Sequence, residues 1–198
     1  MNRKLWRARS VVVLVAALAT SSTLGLAART QSAAVPTEAD AVRLEGKIGA
    51  IAAADIGSRT ARETVEVSEV ELESYVLYRM GEQLPVRVDG LDLELRPGRM
   101  MATVDMFVDA DLASSQPLVG PLFEGAHSVF FEGDFEARNG RGMFSLQGVR
   151  VDGIAVPVFL VKALLGSIED PVDLDAPFDT PLGIDDVVLL DRTARVTY

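Results

Sequence analysis

The 198-residue chain lacks several residue types on which common enzyme chemistries depend. It contains no cysteine, which excludes a thiol nucleophile, a disulfide framework and a lipoprotein anchor. Its single histidine, His127, is accompanied by no Gly-x-Ser-x-Gly nucleophile sequence, so we expect it to have only a structural role. A glycine-rich phosphate-binding loop is also missing from the sequence. These absences predict a protein that is not an enzyme and that needs no cofactor.

Basic residues are scarce, and several of them stand before an apolar run at the N-terminus. The run covers residues 11–19, and small residues continue to residue 28. A basic start, an apolar stretch and a small-residue site are typical of a secretory signal, which we place at residues 1–28. The alternative is an uncleaved anchor, because residues 11–28 are marginally long enough to span a bilayer. Either reading predicts export, to the periplasm or cell envelope of a bacterium.

The exported part of the chain would be strongly acidic. Removing residues 1–28 takes away four of the 19 basic residues and none of the 29 acidic ones, so the net charge falls from −10 to −14. Such a surface repels nucleic acid and anionic lipid headgroups at long range, which excludes nucleic acid as a partner. The acidity otherwise indicates a soluble exported protein and says little about its function.

Acidic residues are dense between residues 170 and 186, a stretch without hydrophobic periodicity. Asp170, Asp173, Asp175 and Asp179 would supply some of the about six to eight oxygens that Ca²⁺ requires. Their order differs from the EF-hand pattern, in which a glycine and a closing glutamate follow the aspartates. We therefore interpret residues 170–186 as a solvated loop and assign no metal ligand, and the sequence leaves a calcium site there open.

The clearest structural signal lies at residues 99–112, where apolar residues alternate with mostly polar ones. Period-two alternation predicts a strand with one dry and one solvated face. At about 3.3 Å per residue, this strand would be about 45 Å long and would need a large antiparallel sheet that bends around something. The apolar positions are Met100, Ala102, Val104, Met106, Val108, Ala110 and Leu112.

A helix is predicted to begin after Ser68, which forms a capping-box pattern with Glu71. The i+3 and i+4 spacing places one set of apolar side chains on a single face and a polar set on the other. We therefore expect the helix to cover something apolar with one side only. The apolar face is Leu72, Tyr75, Val76 and Met80, and the polar face is Glu71, Ser74, Tyr78 and Glu82.

The remaining elements define the domain organisation. Residues 29–40 are predicted to be a linker, and residues 41–198 a single domain whose first part, 41–64, is either a weak helix or an irregular strand. Two hairpins turn at Pro97-Gly98 and Asn139-Gly140, and a last strand covers residues 188–198. The predicted fold class is α+β: a long curved antiparallel sheet of two hairpins plus a C-terminal strand, with helices packed on one face.

A second helix is predicted from Pro157, which suits a first helical turn, to Gly166. Only Lys162 is charged within it, and a helix that is apolar all round must be buried or must touch lipid. It is too short to span a bilayer. Residues 157–166 are therefore a candidate for membrane contact.

The order of these elements resembles small bacterial envelope members of the tubular lipid-binding (TULIP) superfamily. The likeness covers residues 41–198 and begins with the helix start Ser68-Glu-Val-Glu-Leu-Glu-Ser-Tyr-Val. It continues through two hairpins, the helix from Pro157 and a strand after Thr180-Pro-Leu-Gly-Ile. Family members often carry Asn at the position of Glu73. The resemblance implies a curved sheet wrapped on a helix, an apolar groove that binds lipid, and no catalytic residue.

The leading hypothesis is a non-enzymatic protein that binds lipid or another apolar ligand between sheet and helix. The predicted lining residues are Leu72, Val76, Met80, Met106, Val108, Phe131, Phe135, Phe159 and Leu164. The alternative is a β-rich envelope interaction or assembly module with a filled core and no ligand. A hydrolase is the third hypothesis and would require His127 or a carboxylate pair in a concave pocket.

Overall fold

The structure is a computed structural model that describes most of the region predicted to be a domain. The described ranges are 34–54, 62–84, 86–108, 125–165 and 176–198, with the side chains of Glu82 and residues 163–165 left aside. Several predictions fall outside them and stay predictions. These are the signal at 1–28, linker residues 29–33, strand residues 109–112, and the aspartates 170, 173 and 175.

The described residues form three α-helices and nine strands. The helices are α1 (Glu38–Ala53), α2 (Glu69–Tyr75) and α3 (Val158–Leu165), and α2 continues as a π-helical turn, Val76–Met80. The first strands are β1 (Thr64–Ser68), β2 (Arg87–Arg96), β3 (Arg99–Val108), β4 (Gly125–Arg138) and β5 (Arg141–Val151). The others are β6 (Ile154–Val156), β7 (Phe178–Asp179), β8 (Asp186–Leu190) and β9 (Thr193–Thr197).

The strands make one antiparallel sheet, which confirms the predicted α+β class. Its order is β1-β9-β8-β4-β3-β2, and β5 pairs with β4, β6 and β7. The two central pairings are long, since β3 and β5 both lie along β4. The sheet of nine described strands is larger than the five-stranded layout expected from the sequence.

The predicted single C-terminal strand is one point of difference. Residues 186–197 form a β8–β9 hairpin, because the chain reverses at Asp191-Arg192. Arg192 adopts a positive φ of 63° there, although it is neither glycine nor asparagine. The turn therefore carries no recognisable sequence signal, and the alternation of residues 188–198 gives the appearance of one strand.

The N-terminal part of the domain is helical, which resolves the ambiguity of residues 41–64. Thr37 caps α1 by accepting a hydrogen bond from the Asp40 N–H, a standard N-cap arrangement. Glu38–Asp40, expected to belong to the linker, form the first turn of the helix. Gly46 and Gly49 weaken the helical sequence signal, since glycine costs helix stability relative to alanine.

The capping box at the start of α2 is confirmed. Ser68 Oγ accepts from the Glu71 N–H, and the Glu71 carboxylate accepts from the Ser68 N–H. The helix was expected to cover something with its apolar side only, but its polar side is covered as well. Glu71 and Ser74 of the predicted polar face are buried because α1 packs against that side. Ser74 Oγ accepts a hydrogen bond of 3.0 Å from the Thr37 N–H.

Sheet irregularities occur where the sequence changes the parity of its apolar residues. The β2–β3 register shifts between Val88 and Gly90, and the β4–β5 register shifts opposite Glu132 and Gly133. Each shift is a bulge that returns the apolar residues to the same face. The Asn139-Gly140 turn has positive φ at both residues, 53° and 76°, as a tight hairpin requires.

The main core lies on one face of the sheet, under α2, the π-helical turn and α3. Its buried members are Leu91, Leu93, Leu95, Ala102, Val104, Phe131, Phe135, Ala137, Phe144, Leu146, Leu189 and Ala194. A smaller cluster, built around Leu44 and Ile51 of α1, covers β1 and β9. Both clusters lie against the same sheet, and Leu72 of α2 packs against each of them.

Candidate apolar groove

A set of half-buried apolar side chains lies at the edge of the main core, and we call it the apolar groove. Its floor belongs to β2, β3 and β4, where Val88 pairs with Met106 and Val129 pairs with Val104. One wall is α2 with the π-helical turn over β2, and the other is α3 over β5. The half-buried members are Leu72, Val76, Leu77, Val88, Met106, Val129, Val158 and Val161.

Two glutamates of α2 fix the first wall against the sheet edge. Glu69 Oε1 accepts from the Leu95 N–H at 2.8 Å, and Glu73 Oε1 accepts from the Leu93 N–H at 2.7 Å. Four residues of helix advance about 6 Å, and two residues of strand advance about 6.7 Å, so the two spacings nearly match. The carboxylates therefore take the place of a missing neighbouring strand beside β2.

The second of these carboxylates is in an unfavourable electrostatic environment. Burial raises the pKa of Glu73, and the negative charges of Asp92 and Glu69 raise it further, although the hydrogen bond from the Leu93 N–H opposes them. Glu69 also accepts a 3.0 Å hydrogen bond from Arg192 Nε, which ties α2 to the β8–β9 turn. The arrangement holds the helix in one position along the strand.

The outer side of α2 is held by Lys47 of α1. Lys47 Nζ donates to both Glu71 oxygens, at 2.7 and 2.8 Å. Burial alone would raise the pKa of Glu71, but the hydrogen bonds from Lys47 and Ser68 outweigh it and leave the pKa below its ordinary value. The ion pair locks α1 onto the helix that forms the groove wall.

A π-helical turn continues the groove wall that α2 begins. Five residues, Val76–Met80, follow α2 directly with the wider π geometry. Val76 and Leu77 contact the core, whereas Tyr78 is exposed. Because a π turn widens the helix, two consecutive residues reach the same apolar surface, and such turns are frequent at functional sites.

The opposite wall, α3, contacts the core with only one side. Val158 and Val161 pack against the core cluster, whereas Phe159 and Leu160 are exposed. The helix follows β6, a short strand at the outer edge of β5. The wall therefore stands at the far side of the sheet from the π-helical turn.

A polar pair, His127 and Asp152, lies at the end of the groove where Val88 pairs with Met106. His127 pairs with Met106 across β3 and β4 and so shares its face of the sheet. His127 Nδ1 lies 2.7 Å from Asp152 Oδ2, and Asp152 Oδ1 accepts from the Ser128 N–H at 2.9 Å. These two hydrogen bonds, that of His127 foremost, hold the pKa of Asp152 below its ordinary value. The pair fastens the β5–β6 turn to β4.

The predicted lining residues occupy three different environments. Met80, Val108, Phe131 and Phe135 are buried, so their side chains belong to the packed interior. Leu72, Val76 and Met106 are half-buried at the edge of the core, in the groove. Phe159 points away from it, and the side chain of Leu164 lies outside the described part of the structure.

Sequence reasoning missed other groove residues. Leu77 escapes detection because regular helical spacing puts it off the apolar face, and only the π turn brings it in. Val88, Val129, Val158 and Val161 follow the correct strand or helix pattern, but the sequence does not show which part of each element is left half-covered. The edge contacts of Glu69 and Glu73 give no sequence signal beyond their i, i+4 spacing.

The described ranges contain neither a metal-binding cluster nor a membrane-spanning helix. No three His, Asp or Glu side chains within these ranges converge in a way that would hold a metal ion. Among the helices described, none combines the length and apolar character that crossing a bilayer requires.

Comparison of the chain with known protein families, with curated proteins and with solved structures finds no match.

Proposed function

We propose that this protein binds a lipid or another elongated apolar ligand in the apolar groove and has no enzymatic activity. The observation that carries the proposal is the incomplete cover of the main core. Apolar side chains from both helical walls and from three strands pack against that core and remain half-buried. Half-buried apolar side chains gathered between two helices are one arrangement in which ligand-binding clefts occur.

The composition of the groove favours an unbranched acyl chain. Its eight members are aliphatic or methionine, and such side chains suit an apolar chain. Methionine adapts its shape to loosely specified apolar partners, and Met106 lies on the floor. The resemblance to the tubular lipid-binding superfamily supports the same ligand class. The matching proposal for the fold is a sheet that curves around the ligand and the helix.

The proposed location is the bacterial cell envelope, reached through the N-terminal signal at residues 1–28. A protein that binds lipid in its groove would contact membrane lipids there without spanning the membrane. This part of the proposal depends on the sequence alone.

The test is lipid analysis of the protein purified from a membrane-containing host. We expect stoichiometric fatty acid or phospholipid in the extract. Replacing Met106 with tryptophan should fill the floor and reduce the bound lipid severalfold, because an indole occupies the space of an acyl segment.

Met101 supplies a matched control for this substitution. It lies on the same strand, is also half-buried, and pairs with Glu94 and Glu132 on the opposite face of the sheet. Met101→Trp should leave the lipid content unchanged. Lipid-free wild-type protein, or equal lipid loss in both variants, would reject the groove.

The alternative function is an interaction module with a filled core and no ligand. The burial of Met80, Val108, Phe131 and Phe135 favours it, because these residues were expected to line a ligand site. This alternative predicts a lipid-free protein with a cooperative melt and a defined complex in size-exclusion chromatography. The lipid analysis therefore separates the two functions directly.

A further inference from the structure

Three large apolar side chains are exposed close together in the chain, outside the groove. Ile154 is 71 % exposed, Phe159 69 % and Leu160 45 %. They belong to β6 and to the outer side of α3, and we call them the docking patch. Each would lose solvent-exposed apolar area on contact with an apolar phase, which is the driving force for association.

We propose that the docking patch binds the surface of a lipid bilayer. The helix supports this occupant because it is apolar on both sides. Val158 and Val161 pack on the core, whereas Phe159 and Leu160 are exposed and add little buried area to the fold. A short helix that presents aromatic and leucine side chains outward is suited to shallow insertion at the headgroup boundary.

The charge around the patch also fits a lipid surface. Residues 153–168 contain no acidic residue and one basic residue, Lys162, in a chain whose net charge is −10. The apolar residues of the patch therefore have no carboxylate among them in the sequence, and Asp152 and Glu169 flank the stretch.

The first described residues lie beside α2 and the π-helical turn. Thr37 N–H donates to Ser74 and Tyr78 OH donates to the Pro36 carbonyl oxygen, so the chain enters the domain beside the π-helical turn. This turn leads into the start of β2, whose Val88 lies level with Met106 and His127. Asp152, two residues before Ile154, bonds to His127. The chain entry and the patch therefore lie at the same end of the sheet.

In the sequence, a short segment joins the apolar N-terminal stretch to the first described residue. Five residues lie between residue 28 and residue 34, which makes six steps along the chain, and an extended chain spans at most about 3.5 Å per step. If residues 1–28 were retained as an uncleaved anchor, the membrane that held residues 11–28 would lie within about 21 Å of this end. This inference does not require the groove to carry a ligand.

The test uses the absence of cysteine in the full chain. Single cysteines at Ile154 and Phe159 are labelled with an environment-sensitive fluorophore, and phosphatidylcholine vesicles are added. We expect a blue shift and quenching by brominated acyl chains at both positions, because the labels enter the bilayer.

Val188 and Met143 are the matched control positions. They are 48 % and 46 % exposed and lie on β8 and β5, away from the patch. Labels there should respond weakly even if the N-terminal sequence tethers the chain to the vesicles. An equal response at all four positions, or a response at none, would overturn the proposal.

A second measurement guards against an effect of the label. Phe159→Asp should lower vesicle partitioning of the signal-processed protein at least tenfold, whereas Val188→Asp should change it less than twofold. Both side chains are largely exposed, so both variants should fold, as circular dichroism would show. If the patch instead mediates self-association, labels at Ile154 and Phe159 would respond to protein concentration without vesicles, and bilayer docking would be rejected.

Discussion

At the scale of single residues, buried carboxylates decide how α2 meets the sheet. An unpaired N–H at a buried strand edge is costly, and Glu69 and Glu73 remove this cost for Leu95 and Leu93. Both acceptors are ionisable carboxylates that are buried between α2 and the edge strand β2. Glu73, whose pKa is raised by burial, therefore links the stability of the groove wall to pH.

Glu73→Gln should be at least as stable as the wild type at pH 7. The raised pKa of Glu73 means that its contribution to stability is full below the unfolded value of about 4.5 and is lost as pH rises through the folded pKa. Glutamine keeps the acceptor for the Leu93 N–H without the charge. Urea denaturation at pH 4 and pH 7 should show the advantage of Gln growing with pH.

Glu73→Leu is the companion substitution, since it removes both charge and acceptor. It should destabilise the protein by about 1–3 kcal/mol at pH 7, because the Leu93 N–H loses its partner. Equal stability of the Leu and Gln variants would show that the hydrogen bond is unimportant.

Lys47→Met should destabilise the protein by about 1.5–3 kcal/mol at pH 7, as expected for hydrogen bonds to a charged, buried group. The lowered pKa of Glu71 means that this stability is present above about pH 4.5 and is lost as pH falls through the folded pKa. Thermal melts between pH 3 and pH 7 would measure it.

The exposed pair of Arg195 and Glu66 is the control for this ion pair. Arg195→Met should cost less than about 1 kcal/mol, because solvent screens a surface ion pair. If both variants lost equal stability at pH 7, the buried position of Glu71 would have no special effect.

At the scale of secondary structure, two glycines allow aromatic rings to lie flat on the sheet. A Cβ atom at Gly133 would stand 2.2 Å from Phe144 Cζ, and one at Gly142 would stand 2.3 Å from Phe178 Cζ. Each glycine thus provides the close approach that a ring packed across neighbouring strands requires. The sequence places these glycines inside strand patterns, where they otherwise weaken a strand.

Gly133→Ala should destabilise the protein by about 1–3 kcal/mol, since the Phe144 ring must move out of its packed position. Gly49→Ala in α1 is the opposite case. No atom lies within 4 Å of its added Cβ, so we expect a gain of about 0.5–1 kcal/mol from helix propensity. Chemical denaturation of both variants would check the signs. Two changes of the same sign would contradict this account of packing.

At the scale of the whole molecule, the sheet carries two helical layers with different degrees of cover. α1 closes the core over β1 and β9, where Leu44, Ile51 and Tyr198 are buried. The other half, between the π-helical turn and α3, leaves its apolar residues half-buried. This asymmetry places the proposed ligand and the proposed bilayer contact at the less covered half of the domain.

Features that depend on residues close in sequence could be predicted, and features that depend on contacts between distant elements could not. The capping box at Ser68 and the Asn139-Gly140 turn were readable because each depends on neighbouring residues and backbone preference. The turn at Arg192 was not readable, since its positive φ comes from the surrounding sheet and not from its residue type. The side of α2 that faces α1 was assigned wrongly for a similar reason, as a polar face can be buried by a partner with matching charges.

The sequence by itself determined the α+β class, the strand alternation and the apolar character of the helix after Pro157. Those properties arise from local periodicity, which is written in the order of residues. Only the tertiary structure decided that Met80, Val108, Phe131 and Phe135 pack inside while Met106 and Val76 stay at the edge. Burial depends on which elements meet across the sheet, and in this protein the meeting points are set by long-range contacts such as Glu69 with Leu95 and Lys47 with Glu71.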